Sequence, residues 1–267
     1  LATVSQMAAG DSVLIGLVEE ALSMHVDSEW HEAKLYTPFF KDQAQLYEFA
    51  DCLAVQTFLR MAQLPIQNKQ RPNTEFISPT GEVPVLQIGS VLIPGFTGIV
   101  DLVRKKEAGL SSHLTDVQKA DMAAQIAVID NILRKVEMYI VWVHEETYSM
   151  VTSTRFGSVY KWPLSRVLPA LKRREMRDKL GSIQWANKTL VDVMEAADKA
   201  FRCLSSHLAT QDFVMGSRVT EADALLFGHL FAILTTRLPT MELSNALRKY
   251  PNLVEYTERI ENEYFKK

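Results

Sequence analysis

Cys52 is the residue of this sequence best suited to covalent chemistry, because a cysteine thiolate is a nucleophile. The pattern predicts a helix over residues 53–63, so Cys52 would stand at a helix start, where the helix dipole lowers a thiol pKa. Asp51 beside it opposes the thiolate, and no second cysteine stands at CxxC spacing to resolve a mixed disulfide. We therefore expect an inert thiol, and a thiol-dependent transferase that uses Cys52 is the alternative.

Histidines and carboxylates raise the question of metal binding. His25, Glu29, His31 and Glu32 could gather as ligands, but they lack a zinc-ligand spacing such as HExxH. We interpret them as solvated surface and predict no metal site. His229 lies in a predicted apolar helix, where a histidine that hydrogen-bonds inside the core is the expected role.

A basic stretch beside apolar residues predicts a binding surface. Cations there could meet anionic lipid headgroups or an acidic protein partner, and a solvated helix face is the alternative. The residues of this candidate partner or membrane surface are Trp162, Leu164, Arg166, Lys172, Arg173, Arg174 and Arg177.

Composition narrows the class of protein. The 267 residues, 47% hydrophobic and 23% charged, predict about two globular domains, and a net charge of -3 argues against nucleic-acid binding. Cys52 and Cys203 are expected to be free thiols in a reducing compartment. The apolar stretch 225–234 is interrupted and shorter than the about 20 residues of a transmembrane helix. We expect no transmembrane helix and no signal peptide, so membrane association would be indirect, through a partner or a surface.

Hydrophobic periodicity divides the chain into three parts. Residues 1–43 are predicted to be an extension with an amphipathic helix around residues 14–22. Residues 44–112 are predicted to be a thioredoxin-like domain, with strands at 46–50, 66–69, 83–86 and 91–93 and a last helix at 96–106. Residues 113–267 are predicted to be all helical, beginning with a capping box between Thr115 and Gln118 and interrupted by a loop at 155–163.

Two segments of the sequence resemble the glutathione-transferase superfamily. The segment 81–86 is similar to the superfamily's cis-proline segment before a β-hairpin, with Pro84 as the cis residue and the Val83 backbone exposed. The segment 219–224 resembles the box that starts the superfamily's central helix, with Thr220 and Asp223 in a structural role. The resemblance implies an α+β fold: a thioredoxin-like domain followed by an all-helical domain.

The same resemblance implies that the glutathione site has degenerated. The superfamily needs a hydroxyl or thiol near the start of its first helix, where this sequence has Cys52. It also uses an acidic residue followed by Ser at the start of the third helix, where this sequence has Pro94, Gly95 and Phe96. We expect Phe96 to fill the region with apolar bulk, and we predict no catalysis and no cofactor around Cys52, Val83, Pro84, Gly95 and Phe96.

A finer resemblance covers nearly all of residues 45–265. Segments 53–56, 61–66, 161–164, 223–230 and 233–236 are similar to the metaxin family. It implies a non-catalytic subunit on the cytosolic face of the mitochondrial outer membrane, bound to metaxin 1 and serving protein import and β-barrel insertion with the insertion subunit. It also implies a link to motor-adaptor proteins. The partner interface stays open between the amino-terminal helix and the face of Gln125, Arg134 and Glu137.

Overall fold

The computed structural model describes residues 33–106 and 108–266, and a four-stranded mixed sheet forms its first part. The strands are β1 Lys34–Thr37, β2 Gln67–Gln70, β3 Val85–Ile88 and β4 Val91–Pro94. Their order across the sheet is β2-β1-β3-β4, with β2 parallel to β1 and the other neighbours antiparallel. Helix α1, Leu46–Met61, connects the two parallel strands, and helix α2, Gly95–Lys105, follows β4. This arrangement is thioredoxin-like, as the sequence predicts.

The first strand is not where the sequence predicted it. The predicted strand at 46–50 is wrong, because those residues are the first turns of α1, which starts with a capping box between Gln45 and Glu48. Almost every side chain of α1 is buried, the polar ones included, so its sequence shows no apolar face that alternates with a polar one at the helical period. The real first strand, β1, lies inside the segment 1–43, so the thioredoxin-like domain includes Lys34–Thr37 and does not begin at residue 44. The amphipathic helix predicted for that segment lies outside the described residues.

The hairpin and its proline agree with the prediction. Strands β3 and β4 form the expected hairpin, displaced by up to two residues, and Gly89 takes the positive φ of 57° that the turn requires. The Val83–Pro84 peptide bond is cis, as predicted. A second cis bond, Trp162–Pro163, was not predicted.

Helices dominate the chain from Asp116 onward. The predicted capping box of Thr115 and Gln118 is confirmed at the start of α3. The predicted loop at 155–163 is partly wrong, because a short helix extends through Gly157 before the chain turns. The helices are α3 Asp116–Val128, α4 Arg134–Trp142, α5 Glu145–Thr147, α6 Ser153–Gly157, α7 Leu164–Ser182, α8 Leu190–Leu208, α9 Glu221–Thr235, α10 Glu242–Arg248 and α11 Pro251–Tyr264, with π-helical turns at Ile129–Leu133 and Tyr148–Thr152.

The two domains meet where α1 crosses α9. Gly228 allows the two backbones to approach, because a Cβ at that position would lie 2.5 Å from the carbonyl oxygen of Ala50 and 2.7 Å from the nitrogen of Ala54. Both helices are buried along most of their length. The crossing therefore fixes α1, which carries Asp51 and Cys52, against the centre of the helical domain.

Candidate functional site

A cleft of about 300 Å³ lies between the two domains. It is bounded by α1 and the loop before β3 on one side and by α4 and α7 on the other. Val83, a residue of the predicted glutathione site, lines the cleft. Most of the other lining residues are charged, and they come from both domains: Glu48, Asp51, Glu75, Glu82, Arg134 and Lys172 among others. The cleft thus lies beside Asp51 and Val83, where the glutathione site of the superfamily was expected.

Cys52 does not stand at a helix start. Because α1 begins at Leu46, Cys52 lies in the second turn, fully buried, and the helix dipole that we expected at this position does not act on it. Burial, and then the negative charges of Asp51 and Glu48, raise the pKa of the Cys52 thiol well above its ordinary value. The thiol is therefore protonated and shielded from solvent.

The side chain that lies at the start of α2 is not the predicted one. Phe96 does not fill the cleft: it is buried in the thioredoxin-like domain, with its ring centroid 6.0 Å from that of Phe58. The carboxylate of Glu82 lies there instead, since a Cβ on Gly95 would be 2.7 Å from the Glu82 Oε2 atom. Gly95 has a φ of 68° and donates its N–H to the carbonyl of Pro84 at 2.9 Å. The first turn of α2 therefore already faces a negative charge.

A network of buried charges joins the domains beside Cys52. Asp51 on α1 forms an ion pair with Arg134 at 2.8 Å, and His229 Nε2 on α9 lies 3.6 Å from the other Asp51 oxygen. His229 Nδ1 lies 2.9 and 3.0 Å from the two carboxylate oxygens of Glu137. Burial lowers the pKa of His229, but the charges of Glu137 and Asp51 outweigh it and raise that pKa to about 10. The predicted core histidine is confirmed, and it is cationic.

Contacts within the chain occupy the face of Gln125, Arg134 and Glu137, and the contact of Gln125 is with His207. Glu137 and Gln125 are buried inside the chain, and Arg134 is held by Asp51. The sequence left these residues open as one possible partner interface, and in the structure their side chains have partners within the chain. Their partners were not identifiable from the sequence, because Glu137 and His229 are 92 positions apart.

Tyr47 and Glu48 line the cleft and form a second buried group of hydrogen-bonded side chains. The Tyr47 hydroxyl donates to Glu48 at 3.0 Å, the Gln45 backbone N–H donates to the other Glu48 oxygen at 2.8 Å, and Trp142 Nε1 donates to the Tyr47 oxygen at 3.4 Å. Burial raises the pKa of Glu48 to about 7, and the charge of Glu75 adds to the shift. This carboxyl therefore changes its charge near neutral pH.

The predicted structural pair at the start of α9 is present. The backbone N–H and the hydroxyl of Thr220 both donate to Asp223 Oδ2 at 2.8 Å. The Val214 N–H donates to the other oxygen at 2.7 Å, and so does the Tyr256 hydroxyl at 2.9 Å. Asp223 thus fastens the start of α9 to the preceding loop and to α11.

The basic stretch of α7 divides into two sets. Lys172 forms an ion pair across the domains with Glu75 at 3.0 Å. Arg173 pairs with Glu145 at 2.7 Å, donates to the Trp142 carbonyl at 3.0 Å and stacks on Tyr148 at 3.9 Å. These two cations are not available to a ligand, which corrects their place in the predicted surface. The exposed members of that surface are Trp162, Leu164, Arg166, Arg174 and Arg177.

Metal binding needs a cluster of coordinating side chains, and membrane crossing by a helix needs a long apolar segment. His25, Glu29, His31 and Glu32 lie outside the described residues. Within residues 33–106 and 108–266, no group of three or more His, Cys, Asp or Glu side chains is arranged to hold a metal ion. Over the same ranges, no helix has the length and apolar character needed to traverse a bilayer.

The fold defines the class of protein as glutathione-transferase-like. FzlA from C. crescentus superposes with a TM-score of 0.54 at 15% identity, covering 86% of this chain and 88% of that chain. Glutathione transferase F2 from Populus trichocarpa gives a TM-score of 0.53 at 12% identity, covering 86% and 93%. The family of glutathione S-transferase C-terminal domains matches residues 197–260. The predicted α+β, glutathione-transferase-like fold is confirmed.

Within that class, sequence similarity identifies the family. The Tom37 family, described as outer mitochondrial membrane transport complex protein, matches residues 52–173. The metaxin-2 homolog of Caenorhabditis elegans is 51% identical over 229 residues, covering 86% of this chain and 100% of that protein. Metaxin-2 of Mus musculus is 40% identical over 254 residues, covering 94% and 97%, whereas metaxin-1 of Mus musculus is 27% identical, covering 80% and 70%. The chain belongs to the metaxin family.

Proposed function

We propose that this chain is a non-catalytic subunit of a mitochondrial outer-membrane import complex. It acts on the cytosolic face by binding a metaxin 1-like protein and, through that complex, the subunit that inserts β-barrels. Support comes from the match to outer mitochondrial membrane transport complex proteins and from the metaxin-2 relatives that it covers almost completely. The same family resemblance extends the proposal to motor-adaptor proteins in mitochondrial transport.

The observation that carries the non-catalytic part is the burial of Cys52. A thiol that attacks or exchanges must reach its substrate as a thiolate, and this one is fully buried with a raised pKa. The thiol-dependent transferase that uses Cys52 is therefore the less supported function.

The start of α2 supports the same proposal. A helix start attracts an anion through its free N–H groups and its dipole. Here the Glu82 carboxylate lies beside Gly95, so the carboxylate of an incoming γ-glutamyl group would meet a like charge. Glutathione recognition needs that contact, and we expect it to fail.

Turnover and binding measurements test this proposal together. We expect no glutathione conjugation with a chlorodinitrobenzene substrate, no thiol-transfer turnover and no calorimetric binding of glutathione. A metaxin 1-like partner should instead co-purify with this chain in a one-to-one molar ratio. Cys203 provides the matched control, because its thiol is exposed whereas that of Cys52 is buried. Turnover that persists in Cys203→Ala and disappears in Cys52→Ala would establish the alternative.

A further inference from the structure

The first two turns of α7 present an apolar stripe to solvent. Leu164, Val167 and Leu171 follow one another at helical spacing on the same face, and they are 50%, 46% and 58% exposed. Trp162, just before the helix, is 82% exposed. Large apolar side chains that lie together on a surface mark an interaction site more often than isolated ones do. We call these four residues the α7 stripe.

The opposite face of α7 is fixed to the protein. Pro169, Met176 and Leu180 are buried there. A Cβ at Gly157 of α6 would lie 2.4 Å from the carbonyl oxygen of Ser165, so the first turn of α7 rests directly on α6. The helix is thus held in place by its inner face, and the α7 stripe is not required for the core.

Positive charge surrounds the stripe. Arg174 continues the same face one turn further along and is 84% exposed, and Arg166 and Arg177 flank it. Two acidic residues lie on this side of the helix: Asp178, 4.0 Å from Arg174, and Glu175, which is 63% exposed and paired with Lys172. Lys172 and Arg173 are turned inward, so a ligand would meet the three outer arginines, with the exposed Lys161 and Lys179 at the two ends of the helix.

We propose that the α7 stripe and these three arginines dock the chain on an anionic lipid surface. Apolar side chains beside cations, with a tryptophan at the edge, are the chemistry of helices that lie in the headgroup region. A protein partner that covered Trp162, Val167 and Leu171 would also have to supply acids for three separate arginines, whereas lipid phosphates supply them everywhere. This inference rests on the proposed outer-membrane role and adds a direct lipid contact to the indirect one.

Vesicle binding of the full chain tests the inference. Sedimentation is measured with vesicles of phosphatidylcholine alone and of phosphatidylcholine with a fifth cardiolipin. We expect binding only to the anionic vesicles. The triple variant Arg166→Gln/Arg174→Gln/Arg177→Gln should lower partition about 100-fold, because each cation near a charged membrane contributes about fivefold. The variant Leu164→Ser/Val167→Ser/Leu171→Ser should lower it at least about tenfold.

Matched controls carry the same chemical changes elsewhere on the surface. Lys199→Gln/Arg202→Gln/Arg248→Gln removes three exposed cations from α8 and α10, and Val117→Ser/Val191→Ser removes two exposed apolar side chains. Both should bind vesicles as the unaltered chain does. Brominated lipid chains should quench tryptophan fluorescence, and Trp162→Phe should remove most of that quenching while binding persists.

Three results would overturn the inference: equal binding to neutral and anionic vesicles, equal loss in the control variants, or unchanged binding of both α7 variants. Co-purification with a metaxin 1-like protein, without lipid, is measured on the same variants. Loss of the partner with unchanged vesicle binding would make the stripe a protein interface and refute the lipid contact. If the unaltered chain fails to bind the partner but binds anionic vesicles through α7, the proposed function fails and the lipid contact stands.

Discussion

At the contact between α1 and α9, His229 meets two carboxylates in the protein interior, whereas on the outer face of α7 three arginines and four large apolar side chains face solvent. Buried charges are costly unless they are paired, so their pairing shows that they serve the chain itself. Exposed apolar groups gain nothing within the chain and point to a ligand. The residues that hold this protein together are therefore distinct from the residues that are free to bind.

Removing His229 should have the largest effect on stability. His229→Leu leaves Glu137 buried without its cationic partner, and we expect a loss of about 3–5 kcal/mol in the free energy of unfolding. Urea denaturation measures this loss. Arg202→Leu, which breaks an exposed pair with Asp198, should change the stability by less than about 0.5 kcal/mol.

A second substitution tests whether the loss of stability comes from the unpaired charge of Glu137. In the double variant His229→Leu/Glu137→Leu neither charge remains, so much of the lost stability should return. If the single variant is as stable as the unaltered chain, the interior cluster is not a paired network, and the contrast with α7 loses its basis.

The pH dependence of stability should report Glu48. Its pKa is about 7 in the folded chain and near 4.5 when unfolded. Between these values the folded state holds a proton that the unfolded state has lost, so the contribution of Glu48 to stability is fully present below pH 4.5 and is lost as the pH rises from 4.5 through 7. The fall amounts to about 3 kcal/mol.

Two variants isolate that carboxyl from other titrating groups. Glu48→Gln cannot ionise, so its stability relative to the unaltered chain should increase between pH 5 and pH 8. Glu195→Gln, on an exposed part of α8, should follow the unaltered chain throughout. Parallel curves for Glu48→Gln and the unaltered chain would show that Glu48 titrates normally.

The fold was largely predictable because local signals carry it. Two short apolar runs joined by a turn at Gly89 identified the hairpin, and the Thr115 and Thr220 boxes marked two helix starts. The start of α1 was missed for a physical reason: a helix buried on all sides loses the period that distinguishes it from a strand. The strand β1 was missed because Lys34–Thr37 was assigned to the amino-terminal extension, and its pairing with β2 and β3 joins residues distant in sequence.

The candidate site was less predictable, because it depends on pairs distant in sequence. Nothing near Arg173 in the chain shows that it turns inward to Glu145 and Tyr148, while Arg174 beside it faces solvent. The same holds for Glu82, whose position beside Gly95 depends on the loop before β3. Residue types indicated charge and apolarity correctly, and only the packing decided which of them were free.

Closing the space at Gly228 should destabilise the domain contact. In Gly228→Ala the new methyl group would overlap the Ala50 carbonyl and the Ala54 backbone, which cannot move independently of α1. We expect a loss of about 2–3 kcal/mol, measured as a lower midpoint of thermal unfolding. Gly181→Ala, whose Cβ would lie 4.0 Å from Ala186, should leave stability unchanged or slightly higher. Equal stability of both variants would mean that α1 and α9 are not closely packed.

Arg173 and Arg174 are neighbours on α7, and we expect their substitutions to have small and opposite effects on stability and on vesicle binding. Arg173→Ala removes the ion pair with Glu145, the bond to the Trp142 carbonyl and the stacking on Tyr148, so we expect a loss of about 1–2 kcal/mol of stability. Arg174→Ala should change stability by less than about 0.5 kcal/mol, because that side chain is exposed.

Vesicle binding should change in the reverse order, falling in Arg174→Ala and persisting in Arg173→Ala. If both variants lost stability and binding alike, the division of this helix into an inner and an outer set of cations would be wrong. Opposite outcomes at adjacent positions would show that the direction of each side chain, rather than the local charge, decides its role.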